Sequence, residues 1–266
     1  MIHRVLTLSA ALLLVVLPFD SARSGLAQGK QDDVSKSLSV VLDVKSPLAD
    51  REAAVKALGK SKAGAQALIE LVDKATMPPE LKATAAFAVA ACPDAETKSK
   101  GEQKLPLPKS KDGKALPPIS DLVDRKGDAK AGAAVFRNNN GGPNCIGCHQ
   151  IGEEGKQVGP PLTTIGNKLS REQFFEAILT PSASILMSFE LWIVRTKDGD
   201  IKTGIKAEDT DDHITLKDNN GEYIDIPTDK IAEKKQSALS MMPEDITKTM
   251  TVQDLVNVVE YLSQQR

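Results

Sequence analysis

The chain has 266 residues, a formal net charge of −2, 3% aromatic and 26% charged residues, and 41% from the AVILMFWYC set. That balance excludes a disordered tail, a collagen-like rod and a disulfide-stapled miniprotein, and points to one large or two modest domains. The near-neutral charge marks no nucleic-acid or polybasic membrane surface, and so few aromatics leave the core to Ala, Val, Leu and Ile, which suits a helical chain.

Residues 1–27 read as a secretory signal peptide. Met1 to Arg4 is a short basic start, Val5 to Leu17 is an apolar run, Pro18 breaks it, and small residues lead to cleavage after Ala27. The run is shorter than the roughly 20 residues a spanning helix needs, so no stable membrane span is expected after cleavage. Export places the mature chain in the periplasm or outside the cell. Cleavage also removes His3, leaving His149 and His213, with three cysteines at 92, 145 and 148.

Residues 28–36 are polar and read as a frayed lead-in. Three helices are expected next, within a module spanning 28–92. One covers Leu48 to Leu58 with Gly59 in the C-cap position, and one carries Ala65, Leu68, Ile69 and Val72 on a single face. The third opens at Pro78-Pro79 and runs to about Ala91, with Cys92 as a buried thiol. Asp50-Arg51, Ala53-Ala54 and Ala57-Leu58-Gly59 resemble a HEAT repeat, and the helices near 48–58 and 79–91 resemble each other. Residues 93–120 are rich in Lys and Pro and read as a linker.

From residue 121 the texture changes. Asp128 to Arg137 is a short helix, and an Asn/Gly loop leads to Cys145. Ser170 with Gln173 opens a second helix as a capping box. Between 189 and 232 the periodicity falls to two, with turns at Asp198-Gly199 and Asn220-Gly221. This predicts a small antiparallel sheet of four or five strands, with Trp192 in its core. Thr251 caps a last helix carrying Leu255, Val256, Val259 and Leu262.

Cys145-Ile146-Gly147-Cys148-His149 is the C-x-x-C-H pattern of covalent c-type haem attachment. Two cysteines three apart on a tight turn can each add to a haem vinyl group, and the next imidazole then meets the iron. A thioredoxin-like pair wants a βαβ setting, structural zinc wants four ligands, and a disulfide across two residues is strained. The residues alone leave the second axial ligand open among His213, Met77, Met187, Met241, Met242, Met250 and water.

With these pieces in order, residues 121–266 resemble a class I c-type cytochrome. More narrowly they resemble the bacterial C-x-x-C-H haem-binding domain found with HEAT repeats or quinoprotein-like dehydrogenase modules. The matching pieces are Gly127 to Phe136, Cys145 to His149, Gly159-Pro160-Pro161-Leu162-Thr163, Thr180-Pro181-Ser182, Ser240 to Pro243 and Leu255 to Leu262. The resemblance implies one haem c held covalently by Cys145 and Cys148. His149 is then the proximal iron ligand and Met242 the distal one, with Met241 as the alternative. It also implies that the Pro160 carbonyl fixes the His149 ring, that Leu162 packs on the haem face, and that Gly132 and Phe136 meet Val258 and Tyr261. Removing 189–232 restores an ordinary separation between His149 and Met242, so the sheet reads as an insertion.

The expected fold is therefore mainly α, a cytochrome c-like helical domain with a small antiparallel β insertion, preceded by HEAT-like helices. The expected function is single-electron transfer by an exported monohaem cytochrome, with no catalytic residues and with a redox protein such as a periplasmic dehydrogenase as partner. The alternatives are a haem-based sensor or catalytic haem site, and an interaction module that recruits a dehydrogenase.

Overall fold

The computed structural model describes residues 21–266. The signal peptide expected over 1–27 lies outside the described residues except for the backbone of its last positions. No helix among the described residues is long and apolar enough to cross a membrane.

The first helix, α1 (Ser21–Leu42), runs through the stretch expected as a frayed lead-in. Val34, Leu38 and Val41 recur at helical spacing and all face the first core, which is why this polar segment coils. Helix α2 (Leu48–Gly59) follows Pro47, and α3 (Lys62–Asp73) is capped by Ser61, whose hydroxyl accepts from the Gly64 amide at 3.1 Å. The C-cap expected at Gly59 is instead Lys60, in the right-handed helical region. Gly59 serves packing: a Cβ there would lie 2.6 Å from the Ala88 carbonyl oxygen. A short turn at Pro79–Leu81 leads into α4 (Lys82–Ala90), and Cys92 lies fully buried just beyond it. Leu58, Leu68, Leu81 and Val89 are among the residues of this first core.

The stretch expected as a linker is ordered and packed. Helix α5 (Ala95–Lys104) is capped by Asp94 and rests on α3 and α4. Leu105 enters the first core and Leu116 the second, while the Lys111 amide donates to the Met250 carbonyl at 2.8 Å. A proline-rich segment pinned at both ends by buried leucines loses the freedom of a tether.

The remaining helices are α6 (Ile119–Val123), α7 (Ala129–Arg137) and, after the two-residue strands β1 (Gln150–Ile151) and β2 (Glu154–Gly155), α8 (Arg171–Leu179). Five strands follow: β3 (Leu191–Thr196), β4 (Ile201–Asp209), β5 (His213–Lys217), β6 (Tyr223–Pro227) and β7 (Ile231–Gln236). They pair antiparallel in the order β6-β5-β4-β3-β7. The sheet thus extends to Gln236 rather than 232 and is a larger β element than a small insertion. It has its own core of Val194, Ile214, Leu216 and Ile226, bordered by Trp192. The Lys206 ammonium lies 4.2 Å from the centre of the Trp192 ring. The chain ends in α9 (Val252–Ser263), opened by the Thr251–Asp254 capping box.

The second core joins α7, α8 and α9 through Phe136, Phe174, Phe175, Val256 and Val259. Phe87 on α4 reaches into this core, and Lys56 on α2 pairs with Glu176 on α8 at 2.7 Å. The two helical lobes therefore share side chains across their boundary.

Candidate functional site

The site rests on the crossing of α7 and α9. Asp128 caps α7 by accepting from the Lys130 and Ala131 amides at 2.8 and 3.0 Å. Its own amide donates to Asn257 Oδ1 at 2.9 Å, which ties the start of α7 to α9. At the crossing a Cβ on Gly132 would sit 1.9 Å from the Asn257 carbonyl oxygen, so only glycine permits this approach. One turn on, the rings of Phe136 and Tyr261 lie 5.6 Å apart, tilted by 57°.

From the end of α7 the chain loops to Asn144, which takes a left-handed φ of 50°, a region asparagine tolerates. This bend starts a single 3₁₀ turn at Cys145–Gly147. The Cys148 and His149 amides both donate to the Cys145 carbonyl, at 3.1 and 2.9 Å, so the two cysteines and the histidine are set by one backbone turn. All three cysteines of the chain are unpaired thiols. Burial pushes the Cys145 thiol up to about 12. Burial also raises Cys148, opposed by the charge of Lys156. Both are therefore present as neutral thiols near neutral pH.

Burial holds the His149 imidazole below its ordinary pKa, against the opposing effect of its bond to Pro160. Nδ1 lies 2.8 Å from the Pro160 carbonyl oxygen. A carbonyl only accepts, so the neutral ring carries its proton on Nδ1 and leaves the Nε2 lone pair for a ligand bond. Gly159 lies against the ring: a Cβ there would be 2.7 Å from Cε1 and 2.9 Å from Nδ1. Its amide and that of Val158 both donate to the Cys148 carbonyl, at 2.8 and 3.0 Å.

Leu162 is half-buried and packs on the second core together with Cys145, Ile146 and Met242. Met242 reaches that core from the loop after β7, and its amide donates to Ser240 Oγ at 3.1 Å. The other ligand candidates go elsewhere. Met250 is buried in the helical core, Met77 packs on the first core, and Met187 is 80% exposed. His213 opens β5, with Nδ1 3.1 Å from Thr210 Oγ1 and Nε2 3.7 Å from Glu208. Met241 is half-buried but is not among the residues packed on the core.

The residues present fit a covalently held haem. Two free thiols stand on one turn beside a histidine with one committed and one available nitrogen, and a glycine keeps the ring's flank open to it. Among the described residues, no three His, Cys, Asp or Glu side chains converge as a metal site without a porphyrin requires.

Some participants escape sequence reasoning. Lys156 beside Cys148 is one. Ser182 is another: it accepts from the Ser240 amide at 3.1 Å and donates to Glu244 at 3.0 Å, and so ties the methionine loop to the end of α8. No local pattern announces either: Lys156 stands in the irregular stretch after β2, and Ser182 acts on residues far along the chain.

The family model for cytochrome c matches residues 129–191. No curated protein matches the chain. Residues 129–191 are thus similar to the cytochrome c family. The match runs from the start of α7 through the C-x-x-C-H turn and α8 and ends on the first residue of β3.

Proposed function

We propose that the chain is an exported monohaem cytochrome that exchanges single electrons with a redox protein such as a periplasmic dehydrogenase. The observation that carries this reading is the His149 ring, held on Nδ1 by the Pro160 carbonyl and flanked by Gly159, one residue after two free thiols on the same turn. Bound haem supplies an iron that takes up and gives back one electron. Cys145 and Cys148 are the covalent anchors, and His149 presents Nε2 as the proximal ligand. Pro160 keeps the proton on Nδ1, which fixes the tautomer and the plane of the ring. Met242 would be the distal ligand, favoured over Met241 because it packs against the same core as Cys145 and Leu162. A thioether in that position favours the reduced state relative to a second histidine. Leu162 would pack against the haem with Cys145 and Ile146 nearby on the same core, and apolar contact of that kind would favour the less charged form. The N-terminal helices are a HEAT-like docking module, and the leader over 1–27 directs export.

The test is the intact mass and optical spectrum of protein purified from an exporting host. One covalent haem is expected, lost when Cys145 and Cys148 are both replaced by Ala. The oxidised protein should show the weak near-infrared band of methionine ligation, and Met242→Ala should abolish it. A protein without haem would overturn the function, and a band surviving Met242→Ala would overturn the ligand assignment.

A further inference from the structure

The C-x-x-C-H turn, His149 and Met242 leave the five-stranded sheet without a task. It meets the segment behind the haem motif at the turn after β5, and Ile205, Lys206 and Ala207 of β4 line a pocket together with Gln150, Gly159 and Pro161. Strand β5 ends at Lys217, and the turn that follows is stiffened by Asp218. The Asp218 side chain accepts from the Asn220 and Glu222 amides at 2.9 and 2.8 Å, and the Gly221 amide closes on the Asp218 carbonyl at 3.1 Å. Gly221 has a φ of +84°, which glycine adopts without strain.

This turn lies over residues 156–159, the segment that follows the haem motif. Two lysines cross the gap in opposite directions. Lys156 of the loop donates to the Asn220 carbonyl at 2.8 Å, and Lys217 of the strand donates to the Gln157 carbonyl at 3.1 Å. Between them Val158 is 2% exposed, and a Cβ on Gly221 would meet its Cγ2 at 3.4 Å. On its other side the same segment is bonded to the haem motif, through the Val158 and Gly159 amides on the Cys148 carbonyl. It then delivers Gly159 to the flank of the His149 ring and the Pro160 carbonyl to Nδ1. Residues 156–159 are thus held from both sides, by the cysteine turn and by the sheet.

We propose that the sheet is a clamp on the histidine loop, with Lys156 and Lys217 as positioning residues that fix how Gly159 and Pro160 hold the His149 ring. This rests on the haem reading above. A strand buried on its inner face, as Ile214 and Leu216 make β5, gives the turn a fixed place from which to press. The ring's plane and the strength of its Nδ1 hydrogen bond both tune a haem's reduction potential, so a loop with extra freedom shifts it.

The experiment compares the full-length haem protein with K156M/K217M, with K156R/K217R and with Lys202→Met, a control on β4 whose ammonium pairs with Asp200 at 3.2 Å. Hydrogen exchange at the Val158 and Gly159 amides should quicken about fivefold in the double methionine variant, as the loss of about 1 kcal/mol of local hydrogen bonding implies. The reduction potential should move with it. Both readings should return in the double arginine variant and stay unchanged in Lys202→Met. Unchanged amides would overturn the clamp, and quicker amides with an unmoved potential would overturn the positioning role. If the double variant fails to fold, Lys217→Met alone makes the same comparison at smaller amplitude. If the protein carries no haem, the mass measurement refutes the function while exchange in the haem-free chain still reads the clamp.

Discussion

The two sides of the proposed haem site are built from different materials. On the histidine side the ties run from backbone to backbone: the His149 amide to the Cys145 carbonyl, and the Val158 and Gly159 amides to the Cys148 carbonyl. The side-chain bonds named on this side, from the His149 ring, Lys156 and Lys217, also end on main-chain carbonyls. On the methionine side every tie named above involves a side-chain atom. Ser240 Oγ accepts from the Met242 amide, Ser182 Oγ accepts from the Ser240 amide, and Ser182 donates to Glu244. A ligand held by main chain resists most substitutions and fails only where a Cβ intrudes. One held by hydroxyls and carboxylates can be tuned one atom at a time, and it borders the N-terminal helices.

The largest effect should come from forcing a side chain into the histidine side. Gly159→Val puts carbon atoms where the His149 ring lies, and the ring is pinned at Nδ1 by the Pro160 carbonyl. We expect a loss of about 3 kcal/mol in urea unfolding and a collapse of covalent haem content by mass, since neither wall can yield cheaply. An intact spectrum in that variant would show the histidine side to be softer than its backbone ties imply.

Next comes a buried acid in the first lobe. Glu52 is 2% exposed; Thr84 donates to its Oε1 at 3.3 Å, and its Oε2 has no hydrogen-bond partner. Burial pushes its carboxyl up to about 7 from an ordinary value near 4.5; Lys56 opposes this, while Glu244 of the methionine loop and Glu176 add to it. With the folded value above the unfolded one, the folded state holds the proton more tightly. Stability should therefore fall as pH rises through the window from about 4.5 to about 7 and stay low above it. Glu52→Gln should flatten this fall and add on the order of 2 kcal/mol at pH 8, read from denaturation midpoints across pH. A parent protein equally stable at pH 5 and pH 8 would refute the assignment.

Ser182→Ala removes the common partner of Ser240 and Glu244. It should cost about 1 kcal/mol, quicken exchange at the Ser240 amide and shift the reduction potential, while leaving the Gly159 amide as it was. That split sharpens the contrast between the two sides; movement of both amides together would erase it. The smallest effect belongs to the lobe boundary. Lys56 and Glu176 are 39% and 30% exposed, so Lys56→Met should cost about 0.5 kcal/mol, a difference that 1 M salt removes.

What the sequence discloses is local and chemical. Asp128, Thr251 and Ser170 with Gln173 mark helix starts through side-chain oxygens two or three residues from the amides they cap, and C-x-x-C-H is a single turn of chain. Helix α5 is hidden because its sequence, AETKSKGEQK, offers no apolar stripe. It docks through what it lacks: Thr97 is fully buried, and Gly101 sits where a Cβ would strike Val89. Strand β7 is hidden for a related reason. Beyond Ile231 it is exposed throughout and is held by main-chain bonds to β3, so no alternation records its presence. Gly59 reads as a helix cap from its neighbours, whereas its reason lies on Ala88, in another helix. Lys156 and Ser182 belong to the same class, since contacts across tens of residues leave no trace in spacing.

The strand order has one more consequence. The sheet begins on β3 and ends on β7, its hydrogen-bonded neighbour, and the Ser237 amide donates to the Leu191 carbonyl at 2.7 Å. A segment whose two ends lie side by side asks nothing of its host beyond a gap the width of one turn. The sheet thus enters and leaves its host at a single point, although one of its turns rests on the loop behind His149.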